Sequence, residues 1–444
     1  MGAGAFIEPL VVLTLLFGGT WINRNTQYRM FGKQQHRRII ISEGRDSSDS
    51  ILESGLNSPI DPLLGQSPSR SSSPSLLTRQ EPKWRRREVN FFGFKKELTS
   101  PNTKVFQGYL LSRLLQKFPF LVEAWYWALI YWVYQLGRAF TAVTLVEGTV
   151  NVARKHALQL IHIEKRLHIF FELDVQHFFL QYPILMHWIN RIYSFIHIPG
   201  TIAFLVWLFY FTTTRNRLGE RQSNKEIGQV EGSPAGPALY EARRRTMAVC
   251  NLVAFVIFTL WPCMPPRLLS DKDVSGSIGE EARSYGFVDT VHGVEGESSV
   301  WTQNKFCNQY AAMPSLHFGY SLLIGLTICT IPLAPHQRRS RALRIAPLTI
   351  RLPSPRRLLC LVVGITYPVT ILTAIIATAN HFILDAVAGA MVCGIAWNFN
   401  SILLNLLVVE DYFLWCVRIH KPQRFVVDVL EGEDDEWVPG KGIL

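Results

Sequence analysis

Four polar residues stand at the ends of long apolar runs, where titratable side chains are otherwise scarce. His317 ends the segment "AAMPSLH" and is followed by the apolar run "FGYSLLIGLTICTIPL". His381 and Asp385 belong to "TANHFILD", and a spacing of four places them on one helical face, one turn apart. Arg267 lies in "WPCMPPRLL", at the end of another apolar run. We therefore ask what chemistry these residue types could perform together.

The combination is suited to phosphoryl transfer. An aspartate that accepts a hydrogen bond from Nδ1–H of a histidine fixes the tautomer and leaves Nε2 free as a nucleophile. A second histidine supplies a general acid, and an arginine offers a bidentate clamp for the phosphate. The residues thus indicate transfer through a phosphohistidine. The competing interpretation is a metal site of two histidines and one aspartate, which the positive charge of Arg267 disfavours.

Singly, each residue also has a structural explanation. Arg267 could be an anchor at the membrane interface, with its charged end in water. A lone histidine at the start of a helix, such as His317, is more often a structural residue than a catalytic one. Asp385 is harder to explain in that way, because a carboxylate in a membrane segment is costly and normally has a partner.

The elements that position these residues are predicted to be membrane spans. The chain has 444 residues, of which 48% are hydrophobic and only 18% charged, and this balance favours one polytopic membrane domain over soluble domains. A span needs roughly 20 apolar residues. Seven segments qualify as candidates: about 4–22, 120–137, 192–212, 246–264, 316–334, 358–379 and 383–407.

The loop charges orient the spans, because cytoplasmic loops carry an excess of Lys and Arg. Loop 214–245 has seven basic and four acidic residues, and loop 335–357 has seven basic and no acidic residues. Loop 270–310 has three basic and seven acidic residues, which places it on the opposite side. Arg267, His317 and His381 then meet at the non-cytosolic face. The basic residues within 139–190 fit this orientation less well.

Four regions follow from these patterns. Residues 1–22 form an N-terminal transmembrane segment or signal anchor, and 119–407 a six-span catalytic domain. Region 23–118 has 17 basic and 8 acidic residues with a Ser/Pro-rich centre, so we expect it to be disordered and cytosolic. Its segment "KWRRREVNFFGFKK" favours anionic lipid headgroups over RNA. Residues 408–444 form a cytosolic tail.

One further segment, "LQLIHIEKRLHIFFELDVQHFF", spaces its apolar residues as a helix does. It is predicted to lie in the membrane interface as an amphipathic helix. A helix packed against the bundle is an equally good interpretation.

The motifs resemble a known family. "PSLH" and "NHFILD" are similar to the second and third motifs of the type 2 phosphatidic acid phosphatase superfamily. The longer strings "NQYAAMPSLHFGYSLLIG", "IEKRLHIFFE" and "NRIYSFIHIPG" resemble its inositolphosphotransferase branch, to which the inositol phosphorylceramide synthases belong. The resemblance covers about 120–407. It implies an all-α, polytopic bundle with a six-helix core, here preceded by an N-terminal span.

The resemblance also implies roles. His381 corresponds to the nucleophile, Asp385 to its orienting acid, His317 to the general acid and Arg267 to a phosphate-binding arginine. It implies a site that faces the lumen or the exterior, and we expect an integral membrane protein of the Golgi or the endoplasmic reticulum with its site towards the lumen. We expect membrane lipids as partners, with a phospholipid donor and a ceramide-type acceptor, and no nucleic acid, cofactor or metal.

The chain departs from the superfamily pattern in its phosphate clamp. The first motif, Lys-x6-Arg-Pro, is replaced by "PPR", and the Ser-Arg pair before the third-motif histidine is replaced by Ala374 and Ile375. Lys305, Asn308 and Tyr310 are candidates to compensate as phosphate-binding residues. Leu316 stands where the phosphatases more often have Gly, which favours the transferase branch.

The leading hypothesis is therefore a lipid phosphotransferase of the sphingolipid type, and the alternative is a lipid phosphate phosphatase of the same superfamily. The two share the first half-reaction and differ in the acceptor, an alcohol or water. A non-catalytic lipid-binding membrane protein is a further alternative, since part of the clamp is missing. A transporter has no support, because the sequence shows no internal repeat.

Overall fold

The computed structural model describes residues 4–31, 82–91, 93–144, 148–217, 234–271, 276–291, 310–334, 337, 341–345 and 348–422. Most of them are helical. The helices are α1 Gly4–Ile22, α2 Leu110–Lys117, α3 Phe120–Thr144, α4 Thr149–Arg166, α5 Glu172–Leu180, α6 Pro183–Arg217, α7 Pro237–Leu260, α8 Ser277–Ser284, α9 Leu316–Thr330, α10 Pro355–Ala377, α11 Ile383–Phe399 and α12 Leu407–Cys416. The strands β1 Trp84–Phe91 and β2 Phe94–Pro101 form one antiparallel hairpin, and β3 Arg341–Ile345 and β4 Leu348–Leu352 form another.

Several of these helices have the composition of membrane spans. Within the described residues, three helices are long and apolar enough to cross a bilayer: Pro183–Arg217, Pro355–Ala377 and Ile383–Cys416. Two shorter apolar helices are also described: Pro9–Ile22 precedes all three in the sequence, and Leu316–Thr330 lies between the first and the second. This confirms the predicted all-α membrane helix bundle. The count of seven spans stays a prediction, because α7 carries three consecutive arginines, Arg243 to Arg245, in its first half, and the apolar part after them is shorter than ~20 residues.

Close helix contacts at glycines bring the site-bearing helices together. A Cβ added to Gly325 of α9 would lie 2.2 Å from the carbonyl oxygen of Gly364 in α10. A Cβ on Gly389 of α11 would lie 2.2 Å from the carbonyl oxygen of Ser315, just before α9. Small residues allow such backbone approach between helices in membranes. The first turns of α9 and α11 are therefore held side by side.

The predicted amphipathic helix over residues 158–179 is two helices in the structure. Helix α4 ends at Arg166 and α5 starts at Glu172. His168 takes a left-handed conformation with φ of 56°, which ends α4 in the manner of a helix cap. Apolar spacing continues across the break, so periodicity does not reveal it. The break lets residues on α4 and α5 reach the same point of α11.

The predicted disorder of region 23–118 is wrong for its second half. The hairpin β1–β2 packs on α12, where Arg87 donates hydrogen bonds of 2.9 and 3.1 Å to the two carboxylate oxygens of Asp411. Ser100 donates to Asp411 as well, at 2.7 Å. These partners lie more than 300 positions away, so local composition cannot reveal them. Residues 32–81, including the Ser/Pro-rich centre, lie outside the described residues.

The boundary of the predicted C-terminal tail also changes. Residues Leu407–Cys416 form helix α12, which continues from α11 through the 3-10 turn Asn400–Leu406. Helix α12 is thus a structural element that holds the N-terminal hairpin rather than part of a tail. Residues 423–444 lie outside the described residues.

Candidate active site

The turn between α10 and α11 fixes the backbone of His381. The carbonyl oxygen of Ile375 accepts hydrogen bonds from the N–H groups of Asn380, at 3.0 Å, and His381, at 3.2 Å. Ala379 has a φ of 51° and is fully buried. Such left-handed residues other than glycine are uncommon, and they cluster at functional sites where the surrounding structure holds them. His381 is therefore presented by a tightly constrained turn.

The ring of His381 is oriented by a backbone carbonyl. Its Nδ1 lies 2.8 Å from the carbonyl oxygen of Ala312, whereas Asp385 Oδ2 lies 3.6 Å away. The predicted hydrogen bond from Nδ1 to Asp385 is therefore not the one formed. A carbonyl oxygen only accepts, so Nδ1 carries the hydrogen and Nε2 keeps its lone pair. The tautomer is the one that a nucleophilic Nε2 requires.

Asp385 links the starts of two helices. Its Oδ2 accepts from the N–H of Phe382 at 2.9 Å, and its carbonyl oxygen accepts from the N–H of Ser315 at 2.9 Å. Ser315 in turn caps α9, where its hydroxyl accepts from the N–H of Phe318. Asp385 is fully buried. It therefore fixes the first turn of α11 and, through Ser315, that of α9.

His317 lies in this first turn of α9 and faces His381. The centroids of the two imidazole rings are 5.7 Å apart, with the ring planes at 55°. This separation is short enough for both rings to contact one bound phosphoryl group. The structure thus brings His317, His381 and Asp385 together, although 68 positions separate the first of them from the last.

Two aromatic residues of α6 complete the surroundings of His317 and were not singled out by the sequence analysis. The ring of Tyr193 lies 4.9 Å from that of His317, and the ring of His197 lies 5.2 Å from it. His197 Nδ1 is 3.0 Å from the hydroxyl of Tyr367 in α10. The signal for them was a tyrosine and a histidine four residues apart, on one face of an apolar helix.

Arg267 lies against the turn that carries His381. Its backbone N–H donates to the carbonyl oxygen of Ala379 at 2.8 Å, and its Nε donates to Asn380 Oδ1 at 2.9 Å. The guanidinium also pairs with Asp289, at 3.0 Å between Nη1 and Oδ2. Arg267 is mostly buried, and its charge is partly balanced by this carboxylate. The predicted phosphate-binding arginine thus contacts Ala379 and Asn380, the two residues that directly precede His381.

Of the other predicted phosphate-binding residues, the structure describes Tyr310 alone. Lys305 and Asn308 lie outside the described residues. The carbonyl oxygen of Tyr310 accepts from the N–H of Cys263 at 2.8 Å, and the N–H of Ala312 donates back to the Cys263 carbonyl oxygen at 3.1 Å. This short bridge positions Ala312, whose carbonyl orients His381. Tyr310 therefore supports the site through its backbone in the described structure.

Beside the site, an apolar groove separates α5 from α10. Its volume is about 570 Å³, and Phe178, Phe179, Leu372 and Ile376 are among its lining residues. Val175, another lining residue, packs in the same apolar cluster as Tyr193, the neighbour of His317. The groove is suited to apolar ligands. Among the described residues, no group of three His, Cys, Asp or Glu side chains is arranged to hold a metal ion.

The chain was compared with known protein families, curated proteins and solved structures. The model of the PAP2 superfamily, PAP2_3, matches residues 158–218, 235–348 and 343–399, which together make up a little over half of the chain. The matched segments contain Arg267, His317, His381 and Asp385. No curated protein and no solved structure matches the chain. The protein therefore belongs to the PAP2 superfamily of phosphatases and phosphotransferases, and it is a membrane protein built as a helix bundle.

Proposed function

We propose that the protein is a lipid phosphotransferase that works through a phosphohistidine on His381. One observation carries this proposal: the His381 ring is held by the Ala312 carbonyl with Nε2 free, and a second imidazole, that of His317, lies 5.7 Å away. A nucleophile with its tautomer fixed and an acid within reach of the same group are the parts that covalent phosphoryl transfer needs.

The first half-reaction forms the phosphoenzyme. Nε2 of His381 attacks phosphorus, and the bond from phosphorus to the lipid alkoxide breaks. His317 gives its proton to the departing oxygen, so the diacylglycerol leaves as a neutral alcohol. Asp385 stabilises the positive charge that develops on the His381 ring, and Arg267 binds the donor phosphate.

The second half-reaction returns the enzyme to its first state. The hydroxyl group of an acceptor attacks phosphorus, its proton passes to His317, and the phosphorus–nitrogen bond breaks. In the transferase that we propose, the donor keeps an inositol on its phosphate and the acceptor is a ceramide-type alcohol. Two features support this branch: the resemblance of the motif strings, and the apolar groove between α5 and α10, which has room for lipid chains and shares an apolar cluster with Tyr193, the neighbour of His317.

The departures from the superfamily clamp fit the same proposal. Ala374 and Ile375, which replace the Ser-Arg pair, are both fully buried, and Ile375 contributes only its carbonyl oxygen to the His381 turn. A phosphate bearing an inositol has one negative charge rather than two. Such a donor needs fewer cationic groups than a phosphate monoester does.

The test is the reaction catalysed by the purified protein. We expect that, with labelled phosphatidylinositol and ceramide, it forms a labelled inositol-phosphate lipid and releases diacylglycerol. Release of free phosphate from phosphatidic acid, without a new lipid, would assign the phosphatase activity instead. Absence of any product with the whole phospholipid panel would contradict the enzymatic proposal, and His381→Ala protein gives the background from contaminants.

We also propose that the site faces the lumen. The opposite end of the bundle carries the basic residues expected on the cytosolic side. There, Arg244 near the start of α7 pairs with Glu123 of α3, and Arg357 near the start of α10 donates to the carbonyl oxygens of Cys329 and Ile331. The turns that carry Arg267, His317 and His381 lie at the other ends of the same helices. The Golgi and the endoplasmic reticulum are the proposed compartments.

This orientation predicts the side from which two exposed positions are labelled. In a background with Cys307 and Cys416 replaced by serine, Glu280→Cys in α8 should react with a membrane-impermeant maleimide only after detergent opens sealed microsomes. Arg356→Cys, at the start of α10, should react in the sealed microsomes and serves as the control. Labelling of Glu280→Cys from outside sealed vesicles would reverse the proposed orientation.

A further inference from the structure

Three carboxylates from three elements meet at the amino end of α11. The N–H of Phe382 donates to Asp385 Oδ2 at 2.9 Å, that of Ile383 to Glu172 Oε1 at 2.8 Å, and that of Leu384 to Glu164 Oε1 at 2.8 Å. The first N–H groups of a helix have no partner within the helix and carry partial positive charge. Here each of these three N–H groups has its own carboxylate.

The three side chains are fully buried, and each keeps one oxygen without a donor. These atoms are Glu164 Oε2, Glu172 Oε2 and Asp385 Oδ1. Three negative charges enclosed in this way would repel one another and would lack solvation. Among the described residues, the titratable groups that face the cluster include His381, 3.6 Å from Asp385, and the buried thiol of Cys263. The neighbouring Lys165, Arg166 and Asp174 are exposed.

Protonation removes one of these charges. Burial first, and then the charge of Glu172, raise the pKa of Glu164 from 4.5 to about 9. At neutral pH, Glu164 therefore holds a proton and donates it in a hydrogen bond to Glu172, whose own pKa burial also raises. That proton gives the enclosed pair a hydrogen-bond donor, which two ionised glutamates would lack. Both Oε1 atoms remain available to the α11 backbone.

We propose that Glu164 and Glu172 form an acid–carboxylate pair that positions His381 for the reaction. His381 directly precedes the three anchored N–H groups, so its backbone is held by Ile375 on one side and by the pair on the other. The break between α4 and α5 is what lets both glutamates reach this turn. The pair acts through the backbone and touches no reacting atom; its catalytic consequence rests on the proposed function.

The sign of the pH dependence follows from the raised pKa of Glu164. Because the folded protein holds this proton more tightly than the unfolded chain does, the stability it contributes is fully present below 4.5 and is lost as the pH rises through about 9. Loss of the proton places a third negative charge in the buried cluster. The start of α11 should then loosen, and His381 should lose its alignment.

The variant Glu164→Gln distinguishes a protonated Glu164 from an ionised Glu164 that acts as a base and from a residue that only fills space. Its amide oxygen still accepts from Leu384 N–H, and its NH₂ group still donates to Glu172, at every pH. We expect Glu164→Gln to keep kcat within about threefold of the wild type at pH 7 and to show a smaller fall of kcat between pH 8 and 10. Glu164→Ala should lower kcat by on the order of 10²-fold with little change in KM, because small misplacement of a reacting group has effects of that size.

The experiment compares the full-length wild type with Glu164→Gln, Glu164→Ala and Glu281→Gln, all in nanodiscs. Glu281 forms an exposed pair with His162 of α4 and is the matched control, for which wild-type behaviour is expected. Thermal unfolding is followed from pH 6 to pH 10, and kcat and KM are measured over the same range. The fall of Tm across this range should be smaller in Glu164→Gln than in the wild type, by about 2 °C or more.

Two results would overturn the proposal. The first is a Glu164→Gln protein as slow at pH 7 as Glu164→Ala, since the ionised carboxylate itself would then be needed. The second is a Glu164→Gln protein whose Tm depends on pH as strongly as the Tm of the wild type does. That result would show that Glu164 of the wild type holds no proton that is lost in this pH range. Thermal unfolding needs no turnover, so it tests whether Glu164 holds a proton even if the protein turns over none of the lipid donors. Absence of turnover would count against the proposed function alone.

Discussion

Replacing His381 with alanine is expected to reduce turnover to the uncatalysed background, a loss of at least ~10⁴-fold, because the attacking nitrogen is removed. No group in the described site has the same position, since the ring of His317 is 5.7 Å away, measured between ring centroids. The protein should still fold, because the hydrogen bonds of the turn run through the backbone of residues 375–381 rather than through the imidazole alone. Turnover is measured with the donor and acceptor that the lipid panel identifies.

A phosphoenzyme trap checks the same prediction independently of product formation. Wild-type protein quenched in alkali during turnover of a ³²P-labelled donor should retain acid-labile label on the peptide that contains His381. His381→Ala should retain none, whereas His177→Ala, which removes an exposed histidine of α5, should retain the full amount. Turnover or label retained in His381→Ala would remove this residue as the nucleophile.

The residues that meet at the site could be proposed from sequence because the membrane restricts where polar groups lie. His317, His381 and Arg267 each stand at the end of an apolar run, and alternating loop charges assign those ends to one face. The structure brings the turns that carry these residues together through close contact at Gly389 and Ser315. The lengths of the apolar runs and the charges of the loops were therefore enough to predict the helix bundle and to propose that Arg267, His317 and His381 lie close together.

The contacts that orient those residues have no comparable signal. The Ala312 carbonyl holds the His381 ring, but every residue has a carbonyl, so no side-chain pattern identifies it. Glu164 and Glu172 stood in a segment whose apolar spacing predicted a single interfacial helix. The left-handed His168 follows the end of α4, and Glu164 on α4 and Glu172 on α5 both reach the amino end of α11. Sequence patterns indicate which residue types lie at a given depth in the membrane, whereas the orientation of each side chain depends on the local backbone geometry.

Long-range pairing explains the largest error outside the site. The segment around Arg87 has the charge and composition of a disordered or lipid-facing stretch. It forms a hairpin because Asp411, on a helix at the other end of the chain, accepts hydrogen bonds from both Arg87 and Ser100. Asp411 is mostly buried, where a carboxylate needs such partners. Partners this distant in sequence lie outside any local window.

Replacing His317 with alanine should slow the reaction of a natural phospholipid by ~10²–10⁴-fold, the usual contribution of general acid catalysis. The departing alkoxide of a diacylglycerol is a strong base, so it leaves slowly unless a proton reaches it. A nitrophenyl phosphate ester releases a weakly basic phenolate that needs no proton. The loss should therefore be much smaller for the nitrophenyl donor, provided that only formation of the phosphoenzyme is measured.

The first-turnover burst of nitrophenolate isolates that step, because the later attack by the acceptor also uses His317, as a base. We expect the burst rate of His317→Ala to lie within about tenfold of the wild type, while its first turnover of the natural donor falls by the full factor. His177→Ala is again the matched control and should follow the wild type with both donors. Equal losses on the two donors would exclude a general acid and would assign His317 to holding the phosphate, since binding of the donor phosphate is common to both reactions.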